Sequence, residues 1–327
     1  MMRQGVYKNI VECIGNTPIV QLQKIGSEQI HDFYVKLECM NPGSSIKDRL
    51  ALQMIRDAVD QGRLQKGGTI IETTSGNTGM GLAMIAAVEG FACIFTMPDK
   101  VSDEKVRALE AFGAKVVLAP TAVEPDDPRS YYSVAKQLEK EIPNSCYMNQ
   151  YFNPSNPRAH YLSTGPEIWK QMGEHVDALV AGIGTGGTLC GSIKFLKEKN
   201  PEIQSVAIDP VGSIFYEKFT TGKVTSKAKP YLVEGFGEDI LPSTVDFDFI
   251  DHMYQVSDQE CFDMTRRLAI QEGIFAGGSC GGAIHGALEY GKSLREKKNI
   301  LILLPDSGSR YLSKIYNPQW MKENGFV

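Results

Sequence analysis

The sequence predicts an α/β fold of parallel sheets with helices on both faces. Three observations predict it. Short apolar runs alternate with stretches of helical periodicity almost throughout the chain. The strand-to-helix junctions are rich in Gly, Ser and Thr, as expected where open α/β sheets bind ligands. The 327 residues suffice for two ordinary domains, or for one large unit with a mobile part.

In chain order, the first clear helix starts near Ile46. There Ile46, Leu50, Met54, Ile55 and Val59 recur at helical spacing, and Ser44 or Ser45 is the expected cap. Residues 69–73 read as a buried strand and 78–90 as an apolar helix ended by glycine. A strand over 92–97 precedes a helix over 102–112, capped by Ser102, with Val106, Leu109 and Phe112 on one face. A strand at 115–119 and a helix at about 131–140 complete the first half. The second half repeats the alternation: helix near 165–172, strand 178–181, helix 187–199, strand 205–208, helices 261–271 and 282–292, and a central strand at 300–304. Residues 212–242 carry no periodicity and read as a long loop. A boundary near residue 150 gives domains of 40–150, and of 1–39 with 151–327.

Composition excludes several function classes. A net charge of −5 and the lack of any dense basic run leave no footprint for nucleic acid or anionic membrane. The N-terminus lacks the apolar core of a signal peptide, and no stretch is long enough to span a bilayer. The seven cysteines are scattered and never form C-x-x-C, which predicts reduced thiols in a cytoplasmic protein and no metal site.

Four segments carry chemistry. Asn41-Pro42-Gly43-Ser44-Ser45-Ile46-Lys47 puts a lysine at a helix N-terminus, where the macrodipole disfavours positive charge. A neutral amine there is a nucleophile toward carbonyls, the chemistry of a Schiff base. The loop Thr73-Thr74-Ser75-Gly76-Asn77-Thr78-Gly79 offers hydroxyls and backbone N–H groups to a carboxylate or phosphate. Gly182-Ile183-Gly184-Thr185-Gly186-Gly187-Thr188 satisfies G-x-G-x-x-G, and Asp209 follows at the distance of a ribose-binding acid, so a nicotinamide oxidoreductase is a rival reading. Its position mid-chain and its two threonines favour a terminal phosphate instead. Gly277-Gly278-Ser279-Cys280-Gly281-Gly282 means close-packed backbone, with Ser279 as its hydrogen-bonding side chain and Cys280 as a packed thiol. A reactive lysine, a carboxylate nest and a phosphate cup together suggest pyridoxal 5'-phosphate. With serine rather than aspartate for the pyridine nitrogen, the electron sink is tempered, which favours β-elimination and β-replacement.

These motifs, with Ile14-Gly15-Asn16-Thr17-Pro18 before them and Pro305-Asp306-Ser307-Gly308 after, resemble those of the fold-type II pyridoxal-phosphate enzymes of the cysteine synthase and cystathionine β-synthase family. The resemblance covers nearly the whole chain. It implies two parallel-sheet α/β domains of the tryptophan synthase β type with the cofactor between them, the smaller N-terminal one mobile, in a cytoplasmic homodimer. By position it makes Lys47 the cofactor-binding lysine and general base, and Asn77 the partner of the ring oxygen. It gives Gly184, Thr185, Gly186, Gly187 and Thr188 the phosphate, and Ser279 the pyridine nitrogen. Thr74, Ser75, Thr78 and Gln150 would grip the substrate carboxylate, and Gly235 and Glu238 would line the substrate site.

Segments such as Asp209-Pro210-Val211-Gly212-Ser213-Ile214 and Val233-Glu234-Gly235-Phe236-Gly237 resemble cystathionine β-synthases more than plain cysteine synthases. Glu238 departs from the tyrosine usual in the animal and yeast members; some bacterial members that use O-acetylserine have glutamate. A carboxylate there would pair with the ammonium of an amino-thiol, which sulfide lacks. Lys199-Asn200-Pro201-Glu202 stands where some relatives carry C-x-x-C, and haem control and adenosyl-ligand activation are not expected. The expected reaction is β-replacement on serine or O-acetylserine by homocysteine, giving cystathionine, with cysteine synthase as the alternative.

Overall fold

A computed structural model describes residues 5–74, 76–120, 123 and 127–326. The chain divides into two compact units, one of residues up to Asn16 with Asn41–Ala159, the other Thr17–Met40 with His160–Val327. Residues up to Asn16, grouped by sequence with the second half, cluster with the first unit instead. Val11 is buried there beside Leu50, Met54 and Leu82, and Ile14 packs against the same core.

The first unit holds helices α1 (Lys47–Asp60), α2 (Asn77–Glu89), α3 (Asp103–Glu110), α4 (Tyr131–Glu141) and α5 (Ser155–Ala159). Its strands are β3 (Thr69–Thr73), β4 (Ala92–Pro98), β5 (Lys115–Ala119) and β6 (Ser145–Tyr147), in a parallel sheet of order β5-β4-β3-β6. The two-residue period of a strand explains why both faces are covered. Ile70, Cys93, Phe95 and Met97 point to the core shared with α1 and α2, while Ile71 and Ile94 point to Ala135 of α4. Each such aliphatic or aromatic side chain contributes about 1.5–3 kcal/mol on full burial.

The second unit has β1 (Ile19–Gln21), β2 (Asp32–Leu37), β7 (Ala178–Gly182), β8 (Gln204–Pro210), β9 (His252–Val256) and β10 (Asn299–Leu304). Their order is β1-β2-β10-β7-β8-β9, parallel except for the β1–β2 pair. Helices α6 (Gly165–Gln171), α7 (Gly187–Lys199), α8 (Phe215–Thr221), α9 (Asp258–Glu272), α10 (Gly278–Lys292) and α11 (Pro318–Glu323) complete it. β10 is the expected central strand: Ile300, Ile302 and Leu304 face one core, and Leu301 and Leu303 the other. No described helix is long and apolar enough to cross a membrane.

Three expected elements shift. α8 lies inside the segment expected to be loop, because its seven residues bury only Phe215 and show no helical stripe. α10 begins four residues early: its glycines read as a loop, yet they let the helix approach α9 so closely that a Cβ at Gly281 would overlap the Cys261 carbonyl. α1 is capped by Ile46 rather than by Ser44 or Ser45, although the Ser45 hydroxyl accepts the Lys47 N–H at 3.2 Å.

Lys36 of β2 is fully buried, and its ammonium donates to Glu167 Oε1 (2.8 Å), Gln171 Oε1 (2.7 Å) and the Thr17 carbonyl (3.0 Å). Removing one partner of a buried ion pair leaves the other charge uncompensated. Lys36→Ala is therefore expected to lower the unfolding free energy of the second unit by about 3–5 kcal/mol, and Lys36→Met with Glu167→Leu to recover most of it. Urea denaturation of the three proteins checks this.

Candidate active site

In the first unit, the turn before Lys47 is held from both sides. Asn41 Oδ1 accepts the Gly15 N–H at 2.8 Å, and Asp48 Oδ2 accepts the Gly43 N–H at 2.6 Å. A Cβ at Gly43 would overlap the Asp48 carboxyl, so glycine is required there, and Ser44 takes a left-handed φ of 61°. This places half-buried Lys47 as the first residue of α1.

β3 then delivers the chain to the Thr74 loop. Thr74 Oγ1 accepts the N–H groups of Gly76 (3.2 Å) and Gly79 (3.3 Å), and α2 starts at Asn77 with no side-chain cap. Buried Thr78 donates its hydroxyl to Gln150 Oε1 at 2.7 Å. The structure thus joins Thr74, Thr78 and Gln150 into one cluster, with Asn77 at the head of the helix. Ser75 lies outside the described residues.

Sequence reasoning missed what supports this cluster. Glu72, fully buried in β3, accepts the Thr73 N–H (2.7 Å) and the Gln150 N–H (3.2 Å), and Asn156 donates to the Gln150 carbonyl (2.9 Å). The signal was a carboxylate inside the apolar run Thr69-Ile70-Ile71-Glu72-Thr73.

In the second unit, β7 runs into residues 183–186 and then α7. Gly186, the cap of α7, has φ 75°, and a Cβ there would overlap Val245. Gly186 has no side chain to cap α7, and the N-terminus of a helix favours an anion. Buried Thr185 and half-buried Thr188 add hydroxyls. The Thr188 hydroxyl lies 3.2 Å from Nε2 of His160, whose Nδ1 is 2.9 Å from Thr164 Oγ1. His160 therefore touches the predicted phosphate loop. It opens the π-helical turn His160–Thr164.

The segment from Gly235 to Glu238 crosses this loop. A Cβ at Gly184 would sit 3.5 Å from the Gly235 carbonyl and 3.7 Å from Glu238 Oε1. Gly235, at φ 97°, would bring a Cβ to 3.4 Å from Ser279 Oγ. Gly184, Gly235, Glu238 and Ser279 are therefore neighbours, with Ser279 buried in the first turn of uncapped α10. Cys280 is a packed thiol, held protonated by burial and by Asp306. Asp209 is fully buried and accepts the Tyr216 N–H at 3.0 Å, so its carboxylate is not offered to a ribose.

Helices α3, α6 and α8 also start without side-chain caps, so an open N-terminus alone marks nothing. What distinguishes α7 is a left-handed glycine and two hydroxyls in its entry loop. α10 has Ser279 in its first turn and Gly235 against it. Within the second unit, the hydroxyls and backbone of Gly184–Thr188 suit a phosphate, and the Ser279 hydroxyl suits a ring nitrogen; within the first unit, Lys47 offers an amine to an aldehyde. Among the described residues no group of His, Cys, Asp and Glu could hold a metal ion.

Burial pushes the Glu72 carboxyl up from an ordinary 4.5 to about 8, against the pull of the two N–H groups it accepts. As pH rises through that window the unfolded chain releases a proton that the folded chain keeps. Stability therefore falls across it, by at most about 1.4 kcal/mol per pH unit. Glu72→Gln is expected to flatten the slope, and denaturation midpoints measured across the window test this. Equal slopes in the two proteins would refute the assignment.

Comparison with known proteins agrees with this chemistry. The family model described as pyridoxal-phosphate dependent enzyme matches residues 10–306. The cystathionine β-synthase of Apis mellifera is 45% identical over 324 residues, covering 98% of this chain and 64% of that protein. The chain thus spans less than two thirds of that relative. A cysteine synthase of Staphylococcus aureus is 41% identical over 314 residues, covering 95% of this chain and 97% of the relative. The crystal structure of a hydrogen sulfide-producing enzyme from Fusobacterium nucleatum matches with a TM-score of 0.86 at 35% identity, covering 94% of this chain and 100% of that one. By its fold and these likenesses the chain is a fold-type II enzyme and belongs to the pyridoxal-phosphate-dependent cystathionine β-synthase and cysteine synthase family.

Proposed function

We propose that this chain catalyses β-replacement on L-serine or O-acetyl-L-serine with L-homocysteine as the thiol, giving L-cystathionine. The observation that carries the choice of thiol is Glu238, whose carboxylate lies beside Gly184 of the phosphate loop. A carboxylate attracts a nearby ammonium through a charge-assisted hydrogen bond. An amino-thiol brings such an ammonium, and sulfide does not.

In this reading Lys47, Asn77, Gly184–Thr188 and Ser279 hold the cofactor. When bound, it supplies a sink for the electron pair left at the substrate Cα. Thr74, Ser75, Thr78 and Gln150 bind the substrate carboxylate and orient the Cα–H bond. The Lys47 amine takes the Cα proton as acetate or hydroxide leaves Cβ, the thiolate sulfur bonds to Cβ, and Lys47 returns the proton to Cα. Acetate is the better leaving group, and the reading leans toward O-acetylserine for that reason. Gly235 gives the acceptor space that a side chain would fill. Sulfide as the thiol is a second reading, supported by identity over 97% of the length of a cysteine synthase. The family resemblance also favours a cytoplasmic homodimer.

Mixing purified protein with serine or O-acetylserine, each with homocysteine or sulfide, and identifying products by mass tests the reaction. Cystathionine is the expected main product, and cysteine alone would favour the second reading. Lys47→Ala should lose the yellow absorption band and β-replacement together. Glu238→Gln is expected to lower the kcat/KM ratio of homocysteine to sulfide about tenfold, equivalent to about 1.4 kcal/mol. An unchanged ratio would remove Glu238 from the account.

A further inference from the structure

The strand β8 ends at Pro210, and the loop that follows returns on itself. Asp209 Oδ2 accepts the N–H of Tyr216, and Ser213 N–H donates to the Pro210 carbonyl at 3.1 Å. The same loop is tied outward at Gly212, whose carbonyl accepts the Lys229 N–H at 2.8 Å. Its tip, Ser213-Ile214, grips Glu238 on both sides of the backbone. The Glu238 N–H donates to Ser213 Oγ at 3.1 Å, and the Glu238 carbonyl accepts the Ile214 N–H at 3.2 Å. One residue earlier, the Gly237 N–H donates to the Ile183 carbonyl at 2.7 Å, in the phosphate loop itself. Gly237, at φ 75°, lies so close to Pro210 that a Cβ would overlap the proline ring. Glu238 is therefore clasped between two strand ends, β7 through Ile183 and β8 through Ser213.

Of the two described contacts that hold the Glu238 backbone, Ser213 makes one with its side chain and Ile214 makes the other with its backbone. We propose that Ser213 is a specificity-positioning residue, whose hydroxyl fixes the Glu238 backbone so that its carboxylate stands where the ammonium of an amino-thiol arrives. The inference rests on the reading of Glu238 given above. A long, three-torsion side chain costs conformational entropy to hold in one place, and fixing its backbone removes part of that cost before the ligand binds. Asp209 anchors the loop beneath: burial pushes its carboxyl up to about 7, with the Ser213 hydroxyl and the Tyr216 N–H pulling the other way.

Four proteins test it: the unaltered enzyme, Ser213→Ala, Glu238→Gln and the double variant, each loaded with cofactor. Ser213→Ala is expected to lower the kcat/KM ratio of homocysteine to sulfide about fivefold, through KM for homocysteine, and Ser213→Thr, which keeps the hydroxyl, to restore it. In the Glu238→Gln background Ser213→Ala should change the ratio less than twofold, because the two residues act as one unit. Amide hydrogen exchange at Glu238, which needs no turnover, should speed up in Ser213→Ala. If Glu238→Gln lowers the ratio while Ser213→Ala leaves it unchanged, this inference fails and the reading of Glu238 stands. If Glu238→Gln itself leaves the ratio unchanged, both fail. Equal losses with homocysteine and sulfide in Ser213→Ala, or unchanged exchange at Glu238, also overturn it.

Discussion

The structure depends on where a parallel sheet leaves its unsatisfied backbone groups. Every parallel strand ends at the same edge of its sheet, and the helix that follows presents N–H groups with no partner in its own first turn. In each unit that edge is where the chemistry-bearing side chains gather. At some ends the chain closes them with its own side chains: Ser130 caps α4, Ser257 and Glu260 form a capping box on α9, and Asn317 caps α11. The N-cap residues of α2, α7 and α10 are glycines with no side chain to cap them, and in α2 the Gly79 N–H is taken by Thr74 Oγ1 instead. A folded protein tolerates unpaired donors at a buried edge only if something else satisfies them. An anion such as a phosphate or a carboxylate can do so, and the helix dipole would stabilise it further.

Leaving such edges open places demands on their surroundings. The protein's own side chains crowd these loops, so Gly186 adopts a left-handed φ against Val245 and Gly235 one against Ser279. The polar groups beneath must then be held rigidly. Glu72 does this in the first unit by linking β3 to Gln150, and the Asp209–Ser213 loop does it in the second by clasping Glu238. Both carboxylates are fully buried, and burial raises the pKa of each. Desolvating an acid is costly, so the burial of Glu72 beneath Gln150 and of Asp209 beneath the Ser213 loop speaks for positioning rather than for stability.

Much of this was legible in the chain. Periodicity marked α1, α2, α3, α7 and β10, because each carries an apolar stripe or run that local sequence displays. The Lys47 turn and the Gly184–Thr188 loop were legible because anion binding through backbone demands glycine and hydroxyl residues in sequence. Lys36 was not, since a lysine in a strand reads as solvent-facing and its partners Glu167 and Gln171 lie more than a hundred residues away. α8 and the early start of α10 were hidden by composition, one being short and polar and the other glycine-rich.

By itself the sequence determined the chemistry available: an amine at a helix start, hydroxyl-lined loops at strand ends, and a neutral serine in place of an acid. Those are local properties, set by neighbouring residues and by the hydrogen bonds a turn requires. Only the tertiary structure decided which loops meet. Glu238, Gly184 and Ser279 become neighbours because the chain crosses the C-terminal edge of the second sheet, and Ser213 reaches Glu238 because β8 ends beside β7. Strand order follows from how whole faces pack, with β10 inserted between β2 and β7, and no local pattern encodes that choice.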